Sequence, residues 1–138
     1  MLNNKVVVYT SGTFDLLHSN HIKMFEYARS LGDILIVGVN TDEVVKSYKS
    51  SLILSYEERV SVVKSIRYVD IAVPQKSLDL SKIVKDLNID VFVVGSDWAG
   101  KYDYLRKQGI NVFYFPYGDG VSSTNIKQKV CRISFKLK

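Results

Sequence analysis

The fold of this protein is decided by residues 5–22, which read KVVVYTSGTFDLLHSNHI. The segment opens with a short run rich in β-branched residues, which predicts a buried strand over 5–10. It turns at Gly12 and passes into an amphipathic pattern that predicts a helix over 20–31. Both histidines of the chain, His18 and His21, lie where the strand gives way to the helix. A strand that leads directly into a helix is typical of α/β domains.

The same alternation continues along the rest of the chain. Four more short apolar runs predict strands at 33–39, 69–73, 90–95 and 110–115. Helical patterns separate or follow them at 56–66, 79–88, 101–108 and 123–131. Because the strands are nearly continuous in hydrophobicity, both of their faces should be buried, as in parallel sheets. The sequence therefore predicts a doubly wound, Rossmann-like α/β domain with a five-stranded parallel sheet and helices on both faces.

The composition of the chain limits the classes of protein to which it can belong. A chain of 138 residues, 46% of them hydrophobic, predicts one packed domain, here assigned to residues 1–131 and followed by a basic tail at 132–138. The single cysteine, Cys131, excludes a disulfide framework and favours a reducing, cytoplasmic setting. No signal peptide or membrane-spanning stretch is predicted. The net charge of +5 favours an anionic ligand or reflects surface lysines, and without aromatic–basic interleaving it predicts no nucleic-acid partner.

The turn after the first strand is the prime candidate for a site, because ligands of such sheets bind at the carboxyl ends of the strands. Gly12 lets the backbone approach a ligand closely. His18 and His21 can face the same side of a helix N-terminus, which favours an anion such as phosphate. A purely structural histidine pair remains an alternative. A zinc site lacks further histidines, and a Ser-His-Asp site lacks a nucleophile elbow.

Four segments then identify a family. The segment GTFDLLHSNH (12–21) resembles the GTFDxxHxGH signature of the nucleotidyltransferase superfamily that includes the cytidylyltransferases. Three further segments resemble, in the right order, elements of the glycerol-3-phosphate cytidylyltransferase branch: IRYVDIAVP (66–74), NIDVFVVGSDWAGKYDYL (88–105) and GVSSTNIK (120–127). The resemblance covers nearly the whole chain.

The resemblance implies a reaction and a set of site residues. The reaction joins CTP to a small phosphorylated alcohol, with Mg²⁺ carried by the nucleotide, and yields a CDP-alcohol and pyrophosphate. His18, His21 and Lys49 are the implied catalytic residues, and Lys49 and Lys82 the implied acceptor-binding residues. Lys46 is the alternative match to the family lysine that is assigned here to Lys49. The implied nucleotide-binding residues are Ser11, Gly12, Thr13, Phe14, His18, His21, Arg67, Asp97, Gly120, Ser122, Ser123 and Thr124. Asp97 is expected to accept a hydrogen bond from the cytosine amino group. The family resemblance also implies a homodimer.

Three departures from the family pattern bear on this expectation. Asn20 replaces the glycine of HxGH, Tyr117 stands where the family has a triphosphate-binding arginine, and the acceptor-side loop carries Leu78 rather than an aromatic residue. The departures leave three alternatives open: an adenylyltransferase, a cytidylyltransferase for another acceptor, or a nucleotide-binding module without catalysis. Because a quaternary ammonium usually requires an aromatic cage, glycerol-3-phosphate is expected over phosphocholine, unless Tyr48, Tyr56 and Tyr102 form one.

Overall fold

The computed structural model describes residues 4–49, 51–117 and 122–137. Five parallel strands form one sheet in the order β3-β2-β1-β4-β5. The strands are β1 (Val7–Gly12), β2 (Ile34–Asn40), β3 (Ile71–Gln75), β4 (Val91–Gly95) and β5 (Asn111–Phe115). This architecture confirms the predicted fold class.

Helices flank the sheet. They are α1 (Ser19–Ser30), α2 (Asp42–Lys46), α3 (Tyr56–Lys64), α4 (Ile83–Asp86) and α5 (Ser123–Leu137), with short 3₁₀ helices at Ser96–Trp98 and Asp103–Gln108. None of the helices in the described part of the chain is long and apolar enough to cross a membrane.

Four helical segments differ from the predictions by more than two residues or in type. The helix predicted at 79–88 contracts to the single turn α4, which has no side-chain cap at Lys82 and is followed by Asn88 in a left-handed conformation. Within the segment 101–108, Asp103–Gln108 forms a 3₁₀ helix rather than an α-helix. The helix α5 continues past residue 131 to Leu137, since no Gly or Pro stops it there. The short helix α2 was not predicted, although Thr41 caps it by accepting the Val44 N–H.

Two apolar layers hold the sheet, one on each face. Alternating residues of β1 point to opposite faces, so Val8 joins α1 and α3 in one layer whereas Val7 and Tyr9 join the other. In the first layer Met24 and Phe25 of α1 are fully buried. Because both faces are covered, the strands have no polar side, which explains their unbroken apolar sequence.

The strand order creates a crevice beside the central strand. From β1 the chain proceeds outward through β2 to β3, and then returns to place β4 on the other side of β1. The order therefore reverses between β1 and β4. In open parallel sheets the ligand site lies at this switch point, at the carboxyl edge.

Candidate active site

A cleft of about 670 Å³ opens at that edge. It is bordered by the turns that follow β1 and β4 and by the start of α5. Most of the predicted site residues line it: Ser11, Gly12, Thr13, Phe14, His18, His21, Lys49, Asp97, Ser122, Ser123 and Thr124. The side-chain hydroxyl of Ser123 donates to the carbonyl oxygen of Leu16 at 3.0 Å, so the start of α5 is tied directly to the first turn.

The first turn is shaped by Gly12 and Phe14. Phe14 has a φ of 55°, a left-handed conformation that is rare for an aromatic residue. A Cβ atom on Gly12 would lie 2.9 Å from Cζ of the Phe14 ring, so only glycine fits there. The ring packs edge-on against Phe25, at 5.2 Å between centroids, and against His21, at 5.3 Å. The strained turn is thus fixed by a buried aromatic side chain that also supports the second histidine.

His18 and His21 form a capping box at the start of α1. The backbone N–H of Asn20 donates to Nδ1 of His18 at 3.3 Å, and that of His18 donates to Nδ1 of His21 at 3.2 Å. Because each Nδ1 accepts a hydrogen bond, each neutral ring must carry its own proton on Nε2. The two rings lie 3.8 Å apart between centroids. The capping box therefore leaves one Nε2–H donor on each ring for a ligand.

Both histidines are held in the neutral form. Burial, followed by the nearby charges of His18 and Lys49, lowers the pKa of His21 to about 3. Burial also lowers the pKa of His18. Two adjacent cations in this position would repel each other, so the pair serves as two neutral donors at neutral pH.

Asp15 joins the cleft to the segment after α2. Its carboxylate accepts the backbone N–H groups of Ile53 and Leu54, both at 2.9 Å or less, and pairs with Nζ of Lys127 on α5 at 2.5 Å. Burial by itself raises the pKa of this carboxyl, but the bonds from Lys127 and the two N–H groups bring it below the ordinary value. Three separate segments thus meet at one buried carboxylate.

Sequence reasoning missed Arg59, which lies fully buried beneath the cleft. Its guanidinium donates to the carbonyl oxygens of Thr13 and Asn40, each at 2.7 Å, and to that of Leu54 at 3.0 Å. It also pairs with Asp42 at 2.7 Å. An arginine on a helix is usually solvated, so the sequence offered no signal for this role.

A second missed group is a chain of polar side chains at the ends of the strands. The Tyr9 hydroxyl donates to Gln75 at 2.8 Å, and Gln75 donates to Asn40 at 2.7 Å. Asn40 in turn donates to the hydroxyl of Tyr48 at 3.0 Å, which also bonds to Oγ1 of Thr13. Asn40 and Gln75 are the last residues of β2 and β3, and polar residues at that position were the available signal.

Charged and aromatic side chains occupy the far wall of the cleft. Burial raises the pKa of the Asp97 carboxyl, an effect that the charge of Lys49 opposes. Burial and the charge of Lys127 lower the pKa of the Lys49 ammonium. Trp98 lies 5.7 Å from Tyr48 and 5.9 Å from Tyr102 between ring centroids, and all three rings line the cleft. Tyr56 is not among the lining residues.

Two predicted residues lie away from the cleft. Arg67 is exposed and donates to the hydroxyl of Tyr68, which is bonded to Glu26. Lys82 is exposed and pairs with Asp86 one turn later, at 3.4 Å. Gly120 falls outside the described residues.

The structure shows where Asn20 and Tyr117, two of the three residues that depart from the family pattern, lie. Asn20 is buried in the first turn of α1 and is not among the residues with positive φ, so no left-handed backbone is required of it. The Tyr117 ring lines the cleft, 6.3 Å from His21 between centroids, and its hydroxyl contacts Sδ of Met24 at 3.6 Å. The position of the family arginine is therefore filled by an aromatic side chain that packs beside the histidines.

The fold and the cleft define a nucleotidyltransferase: a parallel sheet with two imidazoles and a helix N-terminus at its switch point. A family model for cytidylyltransferase-like proteins matches residues 9–129, and the chain belongs to that family.

Similar proteins agree with this assignment. The chain is 46% identical over 127 residues to glycerol-3-phosphate cytidylyltransferase of Bacillus subtilis (strain 168), a match that covers 91% of this chain and 96% of the relative. It is 41% identical over 124 residues to the enzyme of the same name from Staphylococcus aureus (strain NCTC 8325 / PS 47), covering 89% and 93%. The crystal structure of the lipopolysaccharide core biosynthesis protein from Thermoplasma volcanium GSS1 is similar with a TM-score of 0.71 and 25% identity, covering 86% of this chain and 100% of that one.

Proposed function

We propose that the protein transfers the cytidylyl group of CTP to glycerol-3-phosphate, which yields CDP-glycerol and pyrophosphate. The names of the two relatives described above support this activity. The observation that carries it is the pair of Nε2–H donors that the capping box of α1 leaves available in the cleft.

The reaction is an in-line displacement. An oxygen of the acceptor phosphate attacks the α-phosphorus of CTP, the bond to the bridging oxygen breaks, and pyrophosphate leaves with that electron pair. Such a step depends on positioning and on charge stabilisation rather than on a protein nucleophile. His18 and His21 donate to the phosphate oxygens as negative charge shifts toward the leaving group. The start of α5, with Ser122, Ser123 and Thr124 at the cleft, receives the β- and γ-phosphates.

We propose that Mg²⁺ arrives with the nucleotide. Within the described ranges no group of three or more His, Cys, Asp or Glu side chains is placed to hold a metal. Asp15 faces the cleft but is already bonded to Lys127 and two N–H groups. Asp97 is the remaining carboxylate at the cleft. Bound Mg²⁺ neutralises phosphate charge, and it commonly keeps several waters while relying on substrate phosphates.

We assign recognition of the cytosine base of CTP to Asp97. A carboxylate only accepts hydrogen bonds, so it matches the amino group of cytosine. We expect Asp97→Asn to weaken CTP use more than UTP use, because the amide places a donor where cytosine also donates, whereas uracil has a carbonyl acceptor at that position. Steady-state kinetics with both nucleotides measures this difference. Equal use of ATP and CTP by the unmodified protein contradicts the assignment and supports the adenylyltransferase alternative.

The aromatic wall favours a second candidate acceptor. Tyr48, Trp98 and Tyr102 gather at one side of the cleft, and a quaternary ammonium is commonly bound by such a cluster. Phosphocholine is therefore the competing substrate, although the loop beside the wall contributes Leu78 rather than a further ring.

Pyrophosphate release separates the candidates. The protein is incubated with Mg²⁺, each of the four ribonucleoside triphosphates and either glycerol-3-phosphate or phosphocholine. We expect the highest kcat/KM for CTP with glycerol-3-phosphate. A higher kcat/KM for phosphocholine identifies the aromatic wall as a choline site. Nucleotide binding by calorimetry without turnover on either acceptor identifies a binding module that lacks catalysis.

A cytoplasmic homodimer is the state in which we propose that the enzyme works. Its cysteine, Cys131, is exposed and free, as is common for proteins of a reducing compartment. The homodimer is an expectation that the family resemblance implies. Sedimentation equilibrium measures the oligomeric state, and a monomer at micromolar concentration contradicts the proposal.

A further inference from the structure

The distal half of α5 has few neighbours in the molecule. Every side chain from Gln128 to Lys136 is exposed. The exposed residues include the apolar Val130 and Ile133, at 58% and 49%. A short helix without packing is only marginally stable in water, because tertiary contacts supply most of its stability. This part of α5 is therefore suited to gain its stability from something outside the fold.

The apolar residues of α5 fall on one stripe. Ile126, Val130 and Ile133 follow one another at intervals of four and three residues, which places them on the same side of the helix. Ile126 lies near the cleft end and is partly covered, whereas Val130 and Ile133 project beyond the domain. Phe135 lies on the opposite side and is not part of this α5 stripe.

All the excess charge of the chain lies in the same segment. Residues 122–138 contain five basic residues, Lys127, Lys129, Arg132, Lys136 and Lys138, and no Asp or Glu. The whole chain has 19 basic and 14 acidic residues, so the remainder has 14 of each and is neutral. Lys127 is paired with Asp15. Lys129, Arg132 and Lys136 form no ion pair with any described residue.

These observations determine the kind of partner. A second copy of α5 laid against the first would bring basic residues together with no carboxylate on either helix to pair them. A helix with an apolar stripe, a row of basic residues along one side of it and no acidic residue instead matches the interface of an anionic bilayer. We propose that the distal half of α5 docks on an anionic lipid surface, with Val130 and Ile133 in the headgroup boundary and Lys129, Arg132 and Lys136 on the lipid phosphates.

This surface is separate from the catalytic machinery. The family model's match ends at residue 129, before Val130, Arg132, Ile133 and Lys136. None of Lys129, Val130, Arg132, Ile133 and Lys136 lines the cleft. The inference does not depend on the acceptor or on the base, and turnover with soluble substrates can be measured independently.

Flotation of the full chain with lipid vesicles tests the proposal. One set of vesicles contains phosphatidylcholine with 30% phosphatidylglycerol, and the other contains phosphatidylcholine alone. We expect binding to the anionic set only, weakened at 0.5 M salt because screening shortens the range of the attraction. Each basic residue near an anionic surface contributes about fivefold in affinity, so Lys129→Gln/Arg132→Gln/Lys136→Gln should lose roughly a hundredfold.

Matched variants distinguish binding through the α5 surface from attraction by the net positive charge of the protein. Lys64→Gln/Lys85→Gln/Lys107→Gln removes three exposed positive charges elsewhere and should bind like the unmodified protein. Val130→Ser/Ile133→Ser keeps the charge and should lose binding, whereas Val62→Ser on α3 should not. Helix content by circular dichroism and turnover are measured for every variant.

Three results overturn the proposal. They are equal binding to neutral vesicles or none to anionic ones, an equal loss in both triple variants, and a change from dimer to monomer in Val130→Ser/Ile133→Ser. The last result would assign the α5 stripe to a second copy of the chain.

Discussion

At the residue scale, each site histidine uses its two ring nitrogens differently. Nδ1 accepts a backbone N–H and so completes the start of α1, whereas Nε2 remains for the ligand. Each histidine side chain thus caps the start of α1 and also presents a neutral hydrogen-bond donor. Because these functions involve different atoms, substitutions can separate them.

The variant His18→Asn retains the cap and removes the donor. Asparagine is among the best N-cap residues, so the thermal midpoint should remain near that of the unmodified protein. Turnover should fall roughly 10²–10³-fold, the usual loss for one transition-state donor. Steady-state kinetics and thermal melting measure the two effects. Normal turnover in a normally folded variant would limit His18 to capping.

The sequence predicted the residues that lie in contiguous motifs and missed those whose roles depend on tertiary structure. The histidines and the Ser/Thr run before α5 were found because local spacing defines a helix N-terminus. Arg59 contacts carbonyl groups that are 5, 19 and 46 positions away along the chain, and no local pattern indicates such contacts. Tyr48 gains its place through Thr13 and Asn40 in the same way.

At the element scale, the segment between α2 and α3 brings a cation to the cleft. Lys49 lines the cleft, whereas Lys46, the last residue of α2, does not. Because two phosphate-bearing substrates repel each other, a cation between them should stabilise their approach. We expect Lys49→Ala to lower turnover and acceptor affinity at least about tenfold while CTP binding alone changes little.

The matched control for this prediction is Lys46→Ala, which removes an exposed lysine from the same segment. Kinetics and calorimetric titration with CTP compare the two variants. Equal losses in both variants would mean that the segment acts through its overall charge and that Lys49 has no specific place.

Arg59 joins three elements at the edge of the sheet. A lysine there retains the charge but cannot bond four acceptors in the same plane. Arg59→Lys should therefore lower the free energy of unfolding by at least about 2 kcal/mol, because buried carbonyl groups lose their donors. Arg106→Lys, on an exposed arginine, should cost less than about 1 kcal/mol. Urea unfolding measures both, and similar values would contradict the role assigned to Arg59.

Element types followed from hydrophobic periodicity more reliably than element lengths did. The five strands were predicted because continuous Val and Ile runs require burial on both faces. The α5 end was missed, because Ile133, Phe135 and Leu137 alternate with polar residues at a period of two, which is not a helical pattern. The apolar stripe does not reveal that α4 begins only at Ile83, nor that Asn88 adopts a left-handed conformation just beyond its end.

At the scale of the whole molecule, the buried His21 couples stability to pH. Its pKa of about 3 in the folded protein lies below the unfolded value of about 6.5. At pH 7 both states are neutral, so the group contributes nothing. As the pH falls from 6.5 toward 3, the unfolded state binds a proton that the folded state does not, and stability decreases. At pH 5 the decrease from this group is about 2 kcal/mol.

The variant His21→Gln isolates this contribution. Glutamine at the third helical position can accept the same N–H and complete the capping box without titrating. Urea unfolding at pH 7.5 and at pH 5 should show a smaller loss of stability in the variant than in the unmodified protein. Asp15 does not interfere, because its lowered pKa affects stability only below about pH 4. An equal loss in both proteins would assign the pH dependence to other groups.

The hydrogen bond from Ser123 to the carbonyl oxygen of Leu16 joins an early and a late segment of the sequence at the cleft. During translation, more than a hundred further residues must therefore be added after Leu16 before its partner, Ser123, has been synthesised. At 5–20 residues per second this delay is roughly 5–20 s. Throughout that time no complete phosphate site is present, so nucleotide cannot assist the emerging polypeptide. The early chain must rely on the packing of α1 and α3 against β1, β2 and β3 until translation is nearly finished.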